Sequence, residues 1–88
     1  MIVLAKGFMT RPDDPDALEP YLDNEMRVMR DLKAEGVVKA AYRRSAGPGF
    51  YFILEGPSID SVRERIDATL PFVIENLATL EYHAIYEI

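Results

Sequence analysis

The sequence predicts one ferredoxin-like α+β domain over residues 1–88, built in the order βαββαβ. Three observations lead there. The chain has 88 residues, too few for a second domain or a separate cofactor-binding unit. Four runs are rich in strand-forming residues, and the middle two flank a turn sequence. Two segments with helical periodicity lie between the first and second runs and between the third and fourth. An antiparallel four-stranded sheet with both helices on one face is the economical packing for that order.

Met1 to Met9 (MIVLAKGFM) is apolar apart from Lys6, as suits a strand covered on both faces. Thr10 to Asp16 (TRPDDPD) breaks the chain with two prolines and three aspartates. A helix is expected to begin between Asp16 and Pro20, with Asp16 and Glu19 spaced as a capping box and Pro20 suited to the first turn. Gly36 ends it as a residue free to adopt the left-handed conformation.

Val37 to Arg44 and Phe50 to Glu55 read as strands of a hairpin around Ser45-Ala-Gly-Pro-Gly49. Gly56-Pro57-Ser58 breaks the chain again, and Ser58 can cap a helix with an Ile59, Val62, Ile66 stripe. Leu70-Pro71 closes that helix, and Leu77 to Ile88 reads as the last strand. In the first strand Ile2, Leu4 and Phe8 fall on one face, while Met1, Val3 and Ala5 fall on the other. The helices cover only one face, so a second copy is expected on the other, giving a homodimer or a higher homo-oligomer.

Charge excludes several functions. Fifteen acids against ten bases give a net charge of −5. A nucleic-acid surface needs a basic footprint, and an anionic membrane attracts one, so neither partner is expected. The first apolar run is too short to span a bilayer, and no small-residue cleavage site follows it, so a cytoplasmic location is expected. There is no cysteine and one histidine, which leaves no thiol nucleophile and no ligand spacing for a metal. Gly47-Pro48-Gly49 lies in a hairpin and not between strand and helix, so it is no phosphate cradle.

Glu25 is the most informative candidate. At about 100° per residue, Leu18, Tyr21, Leu22, Met26, Met29 and Leu32 form one broad apolar stripe, and Glu25 projects from near its middle. A carboxylate there is either paired with a base or has its pKa raised toward neutrality. The second condition suits a general base that removes a proton beside a lactone or ketone carbonyl; the first makes Glu25 structural. Lys6, embedded in an apolar strand, could hold a substrate anion or be Glu25's structural partner. His83 shares a strand face with Glu81 and Ile85 and titrates in the right range to assist; it could equally be a half-buried polar residue. Phe8 and Tyr51 are among the aromatics that could line a small-molecule pocket or simply fill a core or interface.

These segments resemble the muconolactone isomerase-like branch of the dimeric α+β barrel proteins over most of the chain. The best-matching stretches are Leu32-Lys-Ala-Glu-Gly36 and Ala68-Thr-Leu-Pro-Phe72. Glu25 falls where muconolactone isomerases carry a helical glutamate, and Lys6 where they carry an arginine on the first strand. The loop before the first helix is shorter here, and Val73-Ile74-Glu75 replaces a segment richer in proline and aromatics. The resemblance implies the ferredoxin-like fold and a cofactor-independent isomerase or cyclase acting on a small lactone or ketone. Taken with the residue chemistry above, Glu25 and His83 are the expected catalytic residues, and Lys6, Phe8 and Tyr51 the expected ligand-binding ones. The wider superfamily also holds cofactor-free monooxygenases and non-catalytic ligand-binding modules, the two alternative readings.

Overall fold

The computed structural model describes residues Met1–Ile88. Strand β1 (Ile2–Met9) is followed by a 3₁₀ segment (Pro15–Tyr21) that runs into α1 (Leu22–Ala34). Then come β2 (Val38–Arg43), β3 (Phe50–Glu55), α2 (Ile59–Thr69), a four-residue α3 (Pro71–Ile74) and β4 (Ala78–Ile85). The sheet order is β2-β3-β1-β4, with every neighbouring pair antiparallel. This is the expected ferredoxin-like arrangement.

Alternation in β1 decides what faces the helices. Val3, Ala5 and Gly7 are buried, while Ile2, Leu4, Lys6 and Phe8 point to the other side. The inward row meets Phe52 and Leu54 of β3, Leu32 of α1 and Val62 and Ile66 of α2, which together with Val38 and Leu70 make the core. Gly7 is required for a close approach: a methyl group at this position would run into the Phe50 ring.

Helix boundaries follow from proline and capping chemistry. The capping box expected from Asp16 and Glu19 does not form. Pro15 opens a 3₁₀ segment whose N-cap, Asp14, makes no side-chain bond, and Pro20 lies inside that segment. Pro20 has no N–H for an α-helical ladder, so the regular helix begins only at Leu22. Its end is as expected, with Gly36 at φ 81°. Helix α2 carries a reciprocal cap: Ser61 N donates to Ser58 Oγ and Ser58 N to Ser61 Oγ. Leu70, restricted to extended backbone by the proline after it, closes α2 at Thr69, and Pro71 then opens α3.

One strand expectation needs correction. β4 ends at Ile85, so the last three residues leave the sheet. In β2 the register shifts between Val38 and Ala40. That takes Lys39 out of the row of Ala41 and Arg43, and its Nζ lies 3.3 Å from Glu55 Oε2. No helix is long and apolar enough to cross a membrane.

Candidate functional site

A cleft of about 550 Å³ lies between α1 and the helix-facing side of the sheet. Leu18, Leu22 and Met29 line its helical wall, Ala41, Phe50 and Phe52 its sheet wall, and Phe72 of α3 one side. The hairpin residues Gly47, Pro48 and Gly49 reach its rim. Glu25 is the only acid in this lining. A smaller hollow of about 210 Å³ beside Val37 and Gly56 offers Glu55 and Arg65. Both are already ion-paired, Glu55 with Lys39 and Arg65 with Glu35.

Glu25 is 7 % exposed. Its Oε1 accepts a hydrogen bond from Phe72 N at 2.8 Å. That donor lies in the first turn of α3, where a backbone N–H has no partner within the helix. Leu70-Pro71 therefore does more than end α2: it creates an orphan donor that the carboxylate of α1 satisfies. No cation stands within ion-pair distance of Glu25. Its Oε2 makes no protein hydrogen bond, yet no buried side-chain oxygen or nitrogen lacks a partner, so Oε2 reaches the open space of the cleft. Burial pushes the carboxyl pKa up, and the bond from Phe72 N opposes this only in part. One oxygen is thus fixed and the other is presented to a ligand, in a setting that favours holding a proton.

The structure separates the other expected site residues from Glu25. Lys6 pairs across the sheet with Tyr51 on β3 and Glu81 on β4. Phe8 follows it on the same face, and His83 stands beside Leu4 there. All four lie on the face of the sheet opposite the helices, with Phe8 46 % exposed. The His83 and Glu81 side chains meet each other, Nε2 to Oε1, at 2.6 Å. A Glu25–Lys6 pair, whether catalytic or structural, does not form. The reason is strand alternation: once Val3 and Ala5 face the helices, Lys6 must point away.

The cleft that holds Glu25 is lined instead by two cations that were not among the expected site residues. Arg43 stands on the helix-facing side of β2 and Lys33 two turns along α1. The parity grouping Arg43 with Ala41 was legible; which face of the edge strand met the helices was not. Three aromatic rings, Phe50, Phe52 and Phe72, complete the walls. No group of three or more His, Asp or Glu is arranged to hold a metal ion.

No family model matches the sequence, and no curated protein matches it. Solved structures do. The 5-chloro-2-hydroxyhydroquinone dehydrochlorinase TftG of Burkholderia phenoliruptrix AC1100, solved with 2,5-dihydroxybenzoquinone, superimposes with a TM-score of 0.77. The match covers 98 % of this chain and 94 % of that one at 19 % identity. The chain has the ferredoxin-like fold. An uncharacterized NIPSNAP domain protein from Burkholderia xenovorans gives a TM-score of 0.50 at 14 % identity, covering 98 % and 95 % of the two chains. At these identities the likeness speaks for the fold.

Proposed function

We propose that the chain is a small cofactor-independent enzyme that moves a proton on a small unsaturated ring, as muconolactone isomerase does. Glu25 takes a proton from the carbon beside a lactone or ketone carbonyl, leaving an enolate. It then returns that proton to another carbon of the conjugated system. No step of this transfer calls for a cofactor. The observation that carries the reading is the state of Glu25: buried, unpaired with any cation, one oxygen held by Phe72 N and the other open to an apolar cleft. A carboxylate whose pKa is raised by burial is a stronger base than an exposed one, and a proton-transfer site needs that near neutral pH.

The name of the structural neighbour favours one variant of the same chemistry. Removing hydrogen and chlorine from a chlorinated hydroquinone also requires a base, so elimination from a hydroxylated ring is the second reading of this cleft. A ligand-binding module without turnover would leave Glu25 as the cap of α3 and nothing more.

We further propose that the chain is a homodimer, joined through the sheet face that the helices leave bare. Ile2, Leu4, Phe8 and Ile53 stand on that face with Tyr51 and Ile85. An apolar surface of this size, though broken by Lys6, Glu81 and His83, marks an interface.

Solvent deuterium exchange tests the enzymatic reading. Muconolactone incubated in heavy water with the protein should gain deuterium by NMR, and Glu25→Gln should abolish the gain. Exchange no faster than in buffer, or exchange that survives Glu25→Gln, would overturn proton transfer by Glu25.

A further inference from the structure

Four of the ten basic residues are ion-paired, and the two that line the cleft are among the six that are not. The chain is acidic, at −5 overall, and Arg27, Lys39, Arg63 and Arg65 are each ion-paired with a carboxylate. Arg43 and Lys33, the two cations lining the cleft, have neither an ion pair nor a side-chain hydrogen bond. The one acid among the lining residues, Glu25, is bonded instead to Phe72 N. Two uncompensated cations therefore face one apolar space.

Their placement follows from the fold. On α1, Met29 lies about 40° and Lys33 about 80° around the helix from Glu25, at about 100° per residue. Lys33 is also about 12 Å further along the axis, and its side chain leans back toward the N-terminus, over the cleft. Across from it, β2 is an edge strand, so the sheet wall ends in solvent there. Arg43 lies in the same inward row as Ala41 and pairs with Phe50. Exposure rises along both walls: on α1 Glu25 is buried, Met29 half-buried and Lys33 exposed, and on the sheet Phe52 is buried, Phe50 half-buried and Arg43 exposed. The cleft thus has an apolar, aromatic interior with Glu25 in it and a mouth with a cation on each wall.

Resting on the proton-transfer reading of Glu25, we propose that Arg43 and Lys33 form an anion-holding mouth that selects a flat ring bearing a carboxylate. The carboxylate faces the mouth, and the carbon that loses its proton points inward to Glu25 Oε2. The guanidinium of Arg43 offers a planar fork that matches a carboxylate, and Lys33 adds a movable point charge from the other wall. Phe50 and Phe52 supply ring surface between the two ends. This gives the anion-holding role to the helix side of the sheet, and Lys6 on the bare face has no part in it.

The test uses two unreactive probes of one shape, benzoate and benzamide, titrated into the ¹⁵N-labelled protein by NMR. Benzoate should shift the amides of Phe50, Phe52 and Phe72 saturably and bind about fivefold to tenfold tighter than benzamide, a preference that salt weakens. The double variant Arg43→Gln/Lys33→Gln should bind the two probes equally, with benzamide binding unchanged. Both side chains are exposed, so folding is not at stake. Equal binding by the wild type, a preference that survives the double variant, or no saturable benzoate binding would each overturn the mouth. Glu25→Gln separates this inference from the reading beneath it. That variant should keep the benzoate preference, since a neutral amide repels the anion less than a carboxylate does. A preserved preference without Glu25-dependent exchange would sink proton transfer and leave the mouth standing. Exchange without the preference would do the reverse.

Discussion

Replacing Glu25 by Gln and by Ala separates its charge from its hydrogen bond. Oε1 accepts from Phe72 N at 2.8 Å, and the amide oxygen of Gln can take that bond over. Ala cannot, and it leaves the first-turn N–H of α3 without a partner. An unsatisfied donor costs about 1–3 kcal/mol, with the lower end fitting a half-buried group beside an open cleft that water can enter. Adding the lost side-chain methylene contacts gives about 1–2 kcal/mol for Ala, or roughly 5–10 °C of Tm in a domain this size. The carboxyl pKa is raised in the folded state, so its contribution to stability is full below the unfolded value. It is lost as pH rises through the folded value, because the buried group must then ionise. Gln escapes that loss. Thermal unfolding by circular dichroism at about pH 5 and about pH 8 should show the Gln variant gaining on the wild type as pH rises. Ala should lie below Gln at both. If Gln at the higher pH falls as far as Ala, the charge itself holds α3 in place and the proton-transfer reading loses its basis.

Other consequences follow from the geometry. Gly7→Ala should cost about 1–3 kcal/mol by overpacking, because its methyl group runs into the Phe50 ring; the same melting assay reads it, and unchanged stability would mean Phe50 is not held there. Lys6→Ala and His83→Ala should leave Glu25-dependent exchange unchanged, since both residues stand on the far side of the sheet; a loss of exchange would bring the bare face into the site. Ile53→Lys should convert the dimer to a monomer in size-exclusion chromatography with light scattering, and a monomeric wild type would refute the proposed interface.

The fold was legible because strand alternation, turn chemistry and helix stripes agree with one another along the chain. Ser58 and Gly36 punctuate the helices where their side-chain chemistry says they should. The start of α1 was not legible, since Pro15, Asp16, Glu19 and Pro20 send conflicting signals and the chain resolves them with a 3₁₀ segment. Glu25 could be found on a helical wheel, because a carboxylate in an apolar stripe stands out in sequence. Its partner could not: Phe72 contributes a backbone N–H that no side-chain pattern announces. Lys6 drew attention as a charge in an apolar strand, yet parity fixes only which residues share a face and not which face the helices cover. The same ambiguity hid Arg43.

Glu25 is proposed to move a proton within the cleft. Deuterium incorporation into muconolactone, followed by NMR for the wild type and Glu25→Gln side by side, tests it most directly. Incorporation above buffer that disappears in a folded Glu25→Gln protein is the result this account expects. No incorporation by the wild type, or equal incorporation by both, would contradict it.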